Sequence, residues 1–260
     1  MVRTGPGEYR LLSGNQAGVL FLDYLFLAGK EKGCLPEHPV ALKSIVSSEM
    51  ARAVAERGGA EMEDTFTGFK FLAERMKAHE TDGKNVIFAF EEAIGYAFGT
   101  AVRDKDAVTA SLMAAEMASW HALRGRTLPG RLEELYALLG CYEEETISLV
   151  FPGVEGLGRM QKLMAGLREA PPKILGDEKV RRVRDYLPGT AVTAEGARET
   201  LPMKGADMLY FDLEGRSAFI VRPSGTEPKI KCYLLVRGAD HADCRRKREA
   251  LGAFARSLAD

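Results

Sequence analysis

The chain has 260 residues, of which 46% are hydrophobic, 8% aromatic and 28% charged. That composition excludes a disordered, collagenous or disulfide-scaffold protein and suits one large domain or two ordinary ones. The 36 Lys and Arg against 37 Asp and Glu leave a formal charge of −1, so there is no global field to grip nucleic acid or an anionic membrane, and any anion site has to be local.

The chain opens on Val2 and Arg3 followed by Gly5, Pro6 and Gly7, which reads as the tail of a strand entering a turn. Val19, Leu20, Leu22, Tyr24, Leu25 and Phe26 predict a buried helix over 15–30, closed by Gly29 and the polar run to Gly33. This longest apolar stretch contains Asp23 and falls short of the roughly 18 residues that cross a bilayer. The first ten residues carry no apolar segment of the signal-peptide kind. Cys34, Cys141, Cys232 and Cys244 are far apart and form no CxxC pair, so free thiols and a cytoplasmic protein are expected.

Residues 40–46 read as a strand and 47–57 as a helix capped by Ser47 or Ser48 and stopped by Gly58 and Gly59. A second strand-to-helix step runs through 60–65, the turn Thr67-Gly68 and a helix over 69–79. The third strand, 85–90, is a continuous apolar run (NVIFAF) that ends in Glu91 and Glu92. Strands alternating with helices predict an α/β layer, where ligands bind outside the carboxyl ends of the strands. Helices follow over 106–124 and 128–139, and a first domain closes near Gly140. Trp120, with Met113, Met117 and Leu123 at neighbouring turns, reads as core.

Beyond it, 147–151 reads as a strand and 154–168 as a helix. Pro171-Pro172 and the Gly- and Pro-containing stretch 189–205 read as connections. Residues 208–213, 218–222 and 230–236 predict a three-stranded meander, and 243–258 a final helix. The expectation is a small α+β domain from about residue 170 onward.

Two places carry chemistry. The run RPSGTEPKIK over 222–231 sets hydroxyls, a glycine and cations between two apolar strands. Ser224, Gly225 and Thr226 would offer donors to an anion, Arg222 a planar fork, and Lys229 and Lys231 the alternating spacing of one strand face; an ordinary hairpin with solvated charges is the competing reading. Glu91 and Glu92 admit three roles: acceptors for sugar hydroxyls, a metal or acid/base site, or favourable charge at a helix N-terminus. Lys105 stands between Asp104 and Asp106, which read as helix caps, with phosphate contact or proton transfer by the lysine as the alternative. Thr67, Gly68 and Lys70 lie at a strand-to-helix turn that suits ligand contact. His38, His79, His121 and His241 show no metal-ligand spacing.

In order along the chain, GEYRLLSGNQ, SIVSSEM, TGFK, FAFEEAIGY, VRDKDAV and RPSGTEPKIKCYL resemble the α-D-phosphohexomutase superfamily, most of all its phosphoglucomutase and phosphopentomutase branch, from about Gly7 to Gly238. The resemblance implies domains 3 and 4 of four. Residues 1–8 would be the tail of a preceding domain and 9–140 a three-layer α/β/α sugar-binding domain. Residues 141–172 would connect it to 173–260, a smaller phosphate-binding α+β domain with an antiparallel sheet like that of the TATA-box-binding protein. Arg222, Ser224, Gly225, Thr226, Lys231 and Lys229 would hold the non-reacting phosphate, Glu91 with Glu92 the sugar hydroxyls, and Thr67, Gly68 and Lys70 would line the cleft. Lys105 would be an electrostatic or acid/base helper. Many members have a glycine before the first glutamate and a serine two places after it, where this chain has Phe90 and Ala93.

The family's reaction moves phosphate between C1 and C6 of a hexose, or C1 and C5 of a pentose, through a bisphosphate and a phosphoserine. Neither a T-A-S-H-N-P-like serine loop nor a D-x-D-x-D-R-like metal loop is found in this sequence. The nucleophile and the Mg²⁺ ligands are therefore expected from an N-terminal half, with glucose 1,6-bisphosphate or a similar activator, and this chain alone is expected to be inactive. A noncatalytic sugar-phosphate-binding or regulatory module is the alternative.

Overall fold

The computed structural model describes residues 1–225 and 227–259, and the chain divides into two units, Met1–Leu139 and Gly140–Asp260.

The first unit opens with β1 (Val2–Gly5) and β2 (Glu8–Arg10), an antiparallel hairpin. The expected break after residue 8 is absent, because the pairing runs across it and β1 packs on α5 (Leu128–Leu139). Helix α1 (Gly14–Lys32) starts from a capping box in which Ser13 and Gln16 satisfy each other's backbone amides. The sheet then forms in the order β4-β3-β5-β6. β3 (Pro39–Ser44), β4 (Glu61–Thr65) and β5 (Asn85–Glu91) are parallel, and β6 (Gly95–Phe98) returns antiparallel to β5. Every residue of β3 is buried, as expected of a strand covered on both faces.

Val40, Leu42, Val86, Ala89 and Ala97 share one core with Phe69, Leu72 and Met76 of α3 (Phe69–Thr81). Phe88 and Tyr96 turn the other way and meet Phe21 of α1, at centroid distances of 6.1 and 5.2 Å. The sheet therefore lies between α1 and α3, giving three layers. Helices α2 (Met50–Gly58) and α4 (Ala107–Ala122) complete the unit. The start of α2 differs from expectation: Glu49 is its N-cap and makes no side-chain capping bond. Ser48 Oγ accepts from the Met50 amide at 3.2 Å, while Ser47 is committed elsewhere.

The second unit comprises β7 (Cys141–Val150), α6 (Gly156–Glu169), β8 (Ile174–Leu175), β9 (Glu178–Asp185), β10 (Thr190–Thr193), β11 (Arg198–Thr200), β12 (Leu209–Leu213), β13 (Ala218–Pro223), β14 (Lys229–Gly238) and α7 (His241–Ser257). Its antiparallel sheet runs β11-β10-β9-β12-β13-β14-β7, with β8 paired to β9. Residues 141–172 are thus not a connector. β7 pairs with β14 from Cys141↔Gly238 to Val150↔Lys229, and Met160, Met164 and Leu167 of α6 join Leu251 and Ala255 of α7 in the core against the sheet. β10 and β11 fall in the stretch that the sequence placed among connections, and β9 in one to which it assigned no element; all three are short or rich in charge (EKVRRVRD, RET), which masks the period-two signal. No helix among the described residues is long and apolar enough to cross a membrane.

Candidate functional site

In the first unit, three parallel strands end side by side at Ser44, Thr65 and Glu91. The carboxyl edge of such a sheet leaves backbone and side chains without a continuing ladder, and this is where ligands collect. Glu91 Oε1 accepts from the Gly68 amide at 2.6 Å, which ties the end of β5 to the turn before α3. That turn needs glycine, because Gly68 sits at φ 116°, a conformation that a side chain rarely adopts.

Glu92 is held differently. Its Oε2 accepts from Ser44 Oγ at 3.0 Å and Ser47 Oγ at 3.3 Å, and its amide donates to Ser47 Oγ at 3.0 Å. The two hydroxyls are 2.7 Å apart. Of the two acids, Glu92 is therefore the anchor of the loop after β3.

The following turn is strained and tightly backed. Ile94 has φ 60° and is 72% exposed; a β-branched residue there costs conformational energy. A Cβ on Gly14 would lie 2.0 Å from the Glu92 carbonyl oxygen, so the first residue of α1 has to be glycine. Tyr96 donates to the Gly14 carbonyl at 2.9 Å, and burial pushes its hydroxyl up to about 12, which keeps the donor protonated. Lys105 comes to the same turn: a Cβ on Gly95 would be 2.8 Å from Lys105 Cδ, so the bare backbone at 95 makes room for the lysine stem. Its neighbours are caps, with Asp104 Oδ1 accepting from the Lys105 amide and Asp106 Oδ1 from the Val108 and Thr109 amides. Lys70 is exposed, its ammonium 4.8 Å from the Phe71 ring centre, and Thr67 is half-buried.

Beneath this edge lies a group that sequence reasoning missed. Lys43, completely buried at the end of β3, donates to the Ser47 carbonyl at 3.1 Å and Glu49 Oε1 at 2.8 Å, and is 3.0 Å from Asp64 Oδ1. Arg52 joins both acids, at 2.9 Å from Glu49 and 2.6 Å from Asp64. Burial alone would lower the Lys43 pKa, but the carboxylates of Asp64 and Glu49 outweigh it and hold the ammonium above its usual range. Burial would raise Glu49, yet Lys43 and Arg52 pull it to about 2. This ionic cluster fixes the 44–49 loop from below, and Ser44 and Ser47 carry that order to Glu92. The only sequence signal was the Ser-rich end of the strand.

In the second unit, the loop between β13 and β14 follows the register Arg222↔Lys231 and Pro223↔Ile230. Ile230 enters the core, so Arg222, Lys229 and Lys231 lie on the opposite face. Like charges directly across two strands are destabilising, and among the described residues neither Arg222 nor Lys231 has a carboxylate partner. Lys229 is different, since its Nζ is 2.5 Å from Glu227 Oε2. The Ser224 amide donates to the Lys229 carbonyl at 2.8 Å and closes the loop. Gly225 is exposed, and a Cβ on it would meet nothing within 4 Å; packing within the chain does not require glycine there. Thr226 lies outside the described residues.

Residues 13–139 match the family model for phosphoglucomutase/phosphomannomutase, alpha/beta/alpha domain III. Phosphoglucomutase of Staphylococcus aureus strain MRSA252 is 34% identical over 254 residues, covering 96% of this chain and 44% of its own length. The protein of strain MSSA476 is 33% identical over 252 residues. The chain thus spans less than half the length of the curated relatives it matches. Among solved structures, pp63/parafusin, a phosphoglucomutase from Paramecium in its open form, covers 97% of this chain at TM-score 0.63 and 15% identity. A phosphoglucomutase/phosphomannomutase family protein from Burkholderia thailandensis covers 96% at TM-score 0.52 and 11% identity. At such identities these two show a shared fold alone. With domain III matched in its first unit and the match to longer relatives running on through its second, the chain resembles the C-terminal half of the α-D-phosphohexomutase superfamily.

Proposed function

We propose that this chain is the sugar-phosphate-recognition part of a phosphoglucomutase/phosphomannomutase-type enzyme, which moves phosphate between the 1-position and the 6- or 5-position of a hexose or pentose. The observation that carries this reading is the Arg222–Lys231 pair, two like charges facing one another across β13 and β14 beside an open Ser224-Gly225 loop. A phosphate dianion would turn their repulsion into attraction. Arg222 supplies a fork of N–H donors, Lys231 a point charge, and Ser224 a hydroxyl. Lys229 contributes less, because Glu227 already neutralises it.

Glu91 reads the sugar. Its carboxylate is set at the strand ends by the Gly68 amide on Oε1, where an ionised acid is a strong acceptor for sugar hydroxyls. Glu92 keeps its anchoring role. Lys105, with its stem fixed over Gly95, supplies positive charge near the sugar hydroxyls, and Thr67 and Lys70 border the same strand ends.

The reaction passes through a sugar bisphosphate. In this reading the nucleophilic serine belongs to an N-terminal half, and glucose 1,6-bisphosphate or a similar compound primes the cycle. In this reading the Mg²⁺ of the family is held by the same N-terminal half, and among the described residues there is no group of three or more His, Cys, Asp or Glu that could hold a metal ion. Here the phosphate charge is met by cations and hydroxyls alone. Free thiols at all four cysteines support a cytoplasmic setting.

The test is a phosphoglucomutase assay on the purified chain with Mg²⁺ and glucose 1,6-bisphosphate, with and without a separately expressed N-terminal half of a relative. Turnover only in the mixture is the expected result. Turnover by the chain alone would overturn the division of labour. Glucose phosphate binding with no turnover in either case would favour a noncatalytic binding module.

A further inference from the structure

The second unit contains a cavity of about 550 Å³ that the function proposed above does not use. It lies three strands along the sheet from β14, around β9 and β10. Its floor is apolar: Val180 and Leu209 belong to the core, and Val183 packs against it. Pro171 and Pro172, just past the end of α6, form one wall. The volume falls within the roughly 300–1,000 Å³ of small-molecule sites.

The rim is cationic. Arg168, Lys173, Lys179 and Arg182 line it, against one carboxylate, Asp185. That carboxylate is already spent, since Asp185 takes Arg168 Nε at 3.0 Å, and Asp207 takes the other end of the same guanidinium. Arg182 shares Glu199 at 2.5 Å, yet its Nε is buried with no acceptor. Lys173 and Lys179 have no carboxylate partner among the described residues. The wall therefore carries two exposed ammonium groups that no carboxylate offsets, beside an apolar floor, a pattern that suits an anion with an apolar body.

We propose that this cavity binds a small amphipathic anion, a phosphate or carboxylate carried on an aryl or short acyl group. A free sugar phosphate suits it less, because Thr190 and Thr193 are the uncharged side-chain hydroxyls among a lining with Val180, Val183, Val192 and Leu209, and the one lining carboxylate is already paired with Arg168. The site is independent of the Arg222–Lys231 loop.

The experiment is an amide-resolved NMR titration of the full chain with phenyl phosphate, and in parallel with inorganic phosphate and with phenol, each carrying half of the recognised chemistry. Phenyl phosphate should shift amides in 173–194 saturably. Each half-probe should bind there at least about tenfold more weakly. A K173Q/K179Q variant, changed only at lysines without carboxylate partners, should lose about tenfold in phenyl phosphate affinity at 173–194. Shifts near residues 222–231 with inorganic phosphate should persist in it, which also reports that it is folded. Three results would each overturn the proposal: phenyl phosphate shifts confined to 222–231, equal binding of phenol at 173–194, or wild-type affinity in the double variant.

Discussion

Arg222 shows how one side chain can be bad for the fold and good for the ligand. It faces Lys231 across an antiparallel pair, a placement that destabilises the sheet, and no carboxylate among the described residues offsets it. Arg222→Ala should therefore move two observables in opposite directions. Affinity for glucose 6-phosphate by titration calorimetry should fall by about 2 kcal/mol, roughly thirtyfold, the worth of a hydrogen-bonded charge. The urea midpoint of the unliganded chain should stay level or rise. A purely structural arginine would lower both, and that outcome would remove it from the phosphate site. Glu91→Gln is the complementary change. It retains an acceptor for the Gly68 amide but loses the charge, so phosphosugar affinity should drop while inorganic phosphate affinity holds; equal loss for both ligands would contradict its assignment to the sugar.

At the scale of elements, the ends of β3, β4 and β5 are ordered by a buried ionic cluster, and that order is pH-dependent in a direction set by Glu49. Its carboxyl is pulled from an ordinary 4.5 to about 2 by Lys43 and Arg52. A group bound more weakly by protons in the folded state stabilises the fold above its unfolded pKa and loses that contribution as pH falls through the folded one. Lys43, held above its usual value, acts in the opposite sense and matters only at alkaline pH. Urea midpoints measured from pH 5 down to pH 2 should thus fall, and Glu49→Gln should flatten part of that slope while lowering stability at pH 7. An unchanged slope in the variant would mean that other carboxylates control the acid limb.

The same elements show what the sequence could and could not express. The strand-to-helix steps were legible because apolar runs stop at Gly68 or at Glu91. The Lys43 cluster was not, since its partners Glu49 and Asp64 come from a loop and a neighbouring strand, and a lysine in an apolar strand carries no local mark of its neighbours. Glu92 looked equivalent to Glu91 until the two hydroxyls from β3 and its loop separated their roles. β6 was hidden because Glu91 to Ile94 interrupts the apolar run that its pairing with β5 continues.

At the scale of the whole molecule, the sequence reading and the structure part most clearly over 141–172, and the difference can be tested by cutting. A boundary at 173 leaves out Ile147, Leu149, Phe151, Met160, Met164 and Leu167, all members of the second unit's core. At roughly 1.5–3 kcal/mol for each buried apolar side chain, they contribute about 10 kcal/mol or more, as much as the whole net stability of an ordinary domain. The cut would also turn β14, paired with β7 along its entire length, into an edge strand exposing its backbone groups. A fragment over 140–260 should therefore unfold cooperatively in urea and retain inorganic phosphate binding near Arg222, because its sheet and both covering helices remain together. A fragment over 173–260 should be largely unfolded or aggregated, with no cooperative transition by circular dichroism. Cooperative folding of the shorter piece would mean that β7 and α6 decorate a smaller core rather than complete it, and the boundary would return to residue 173.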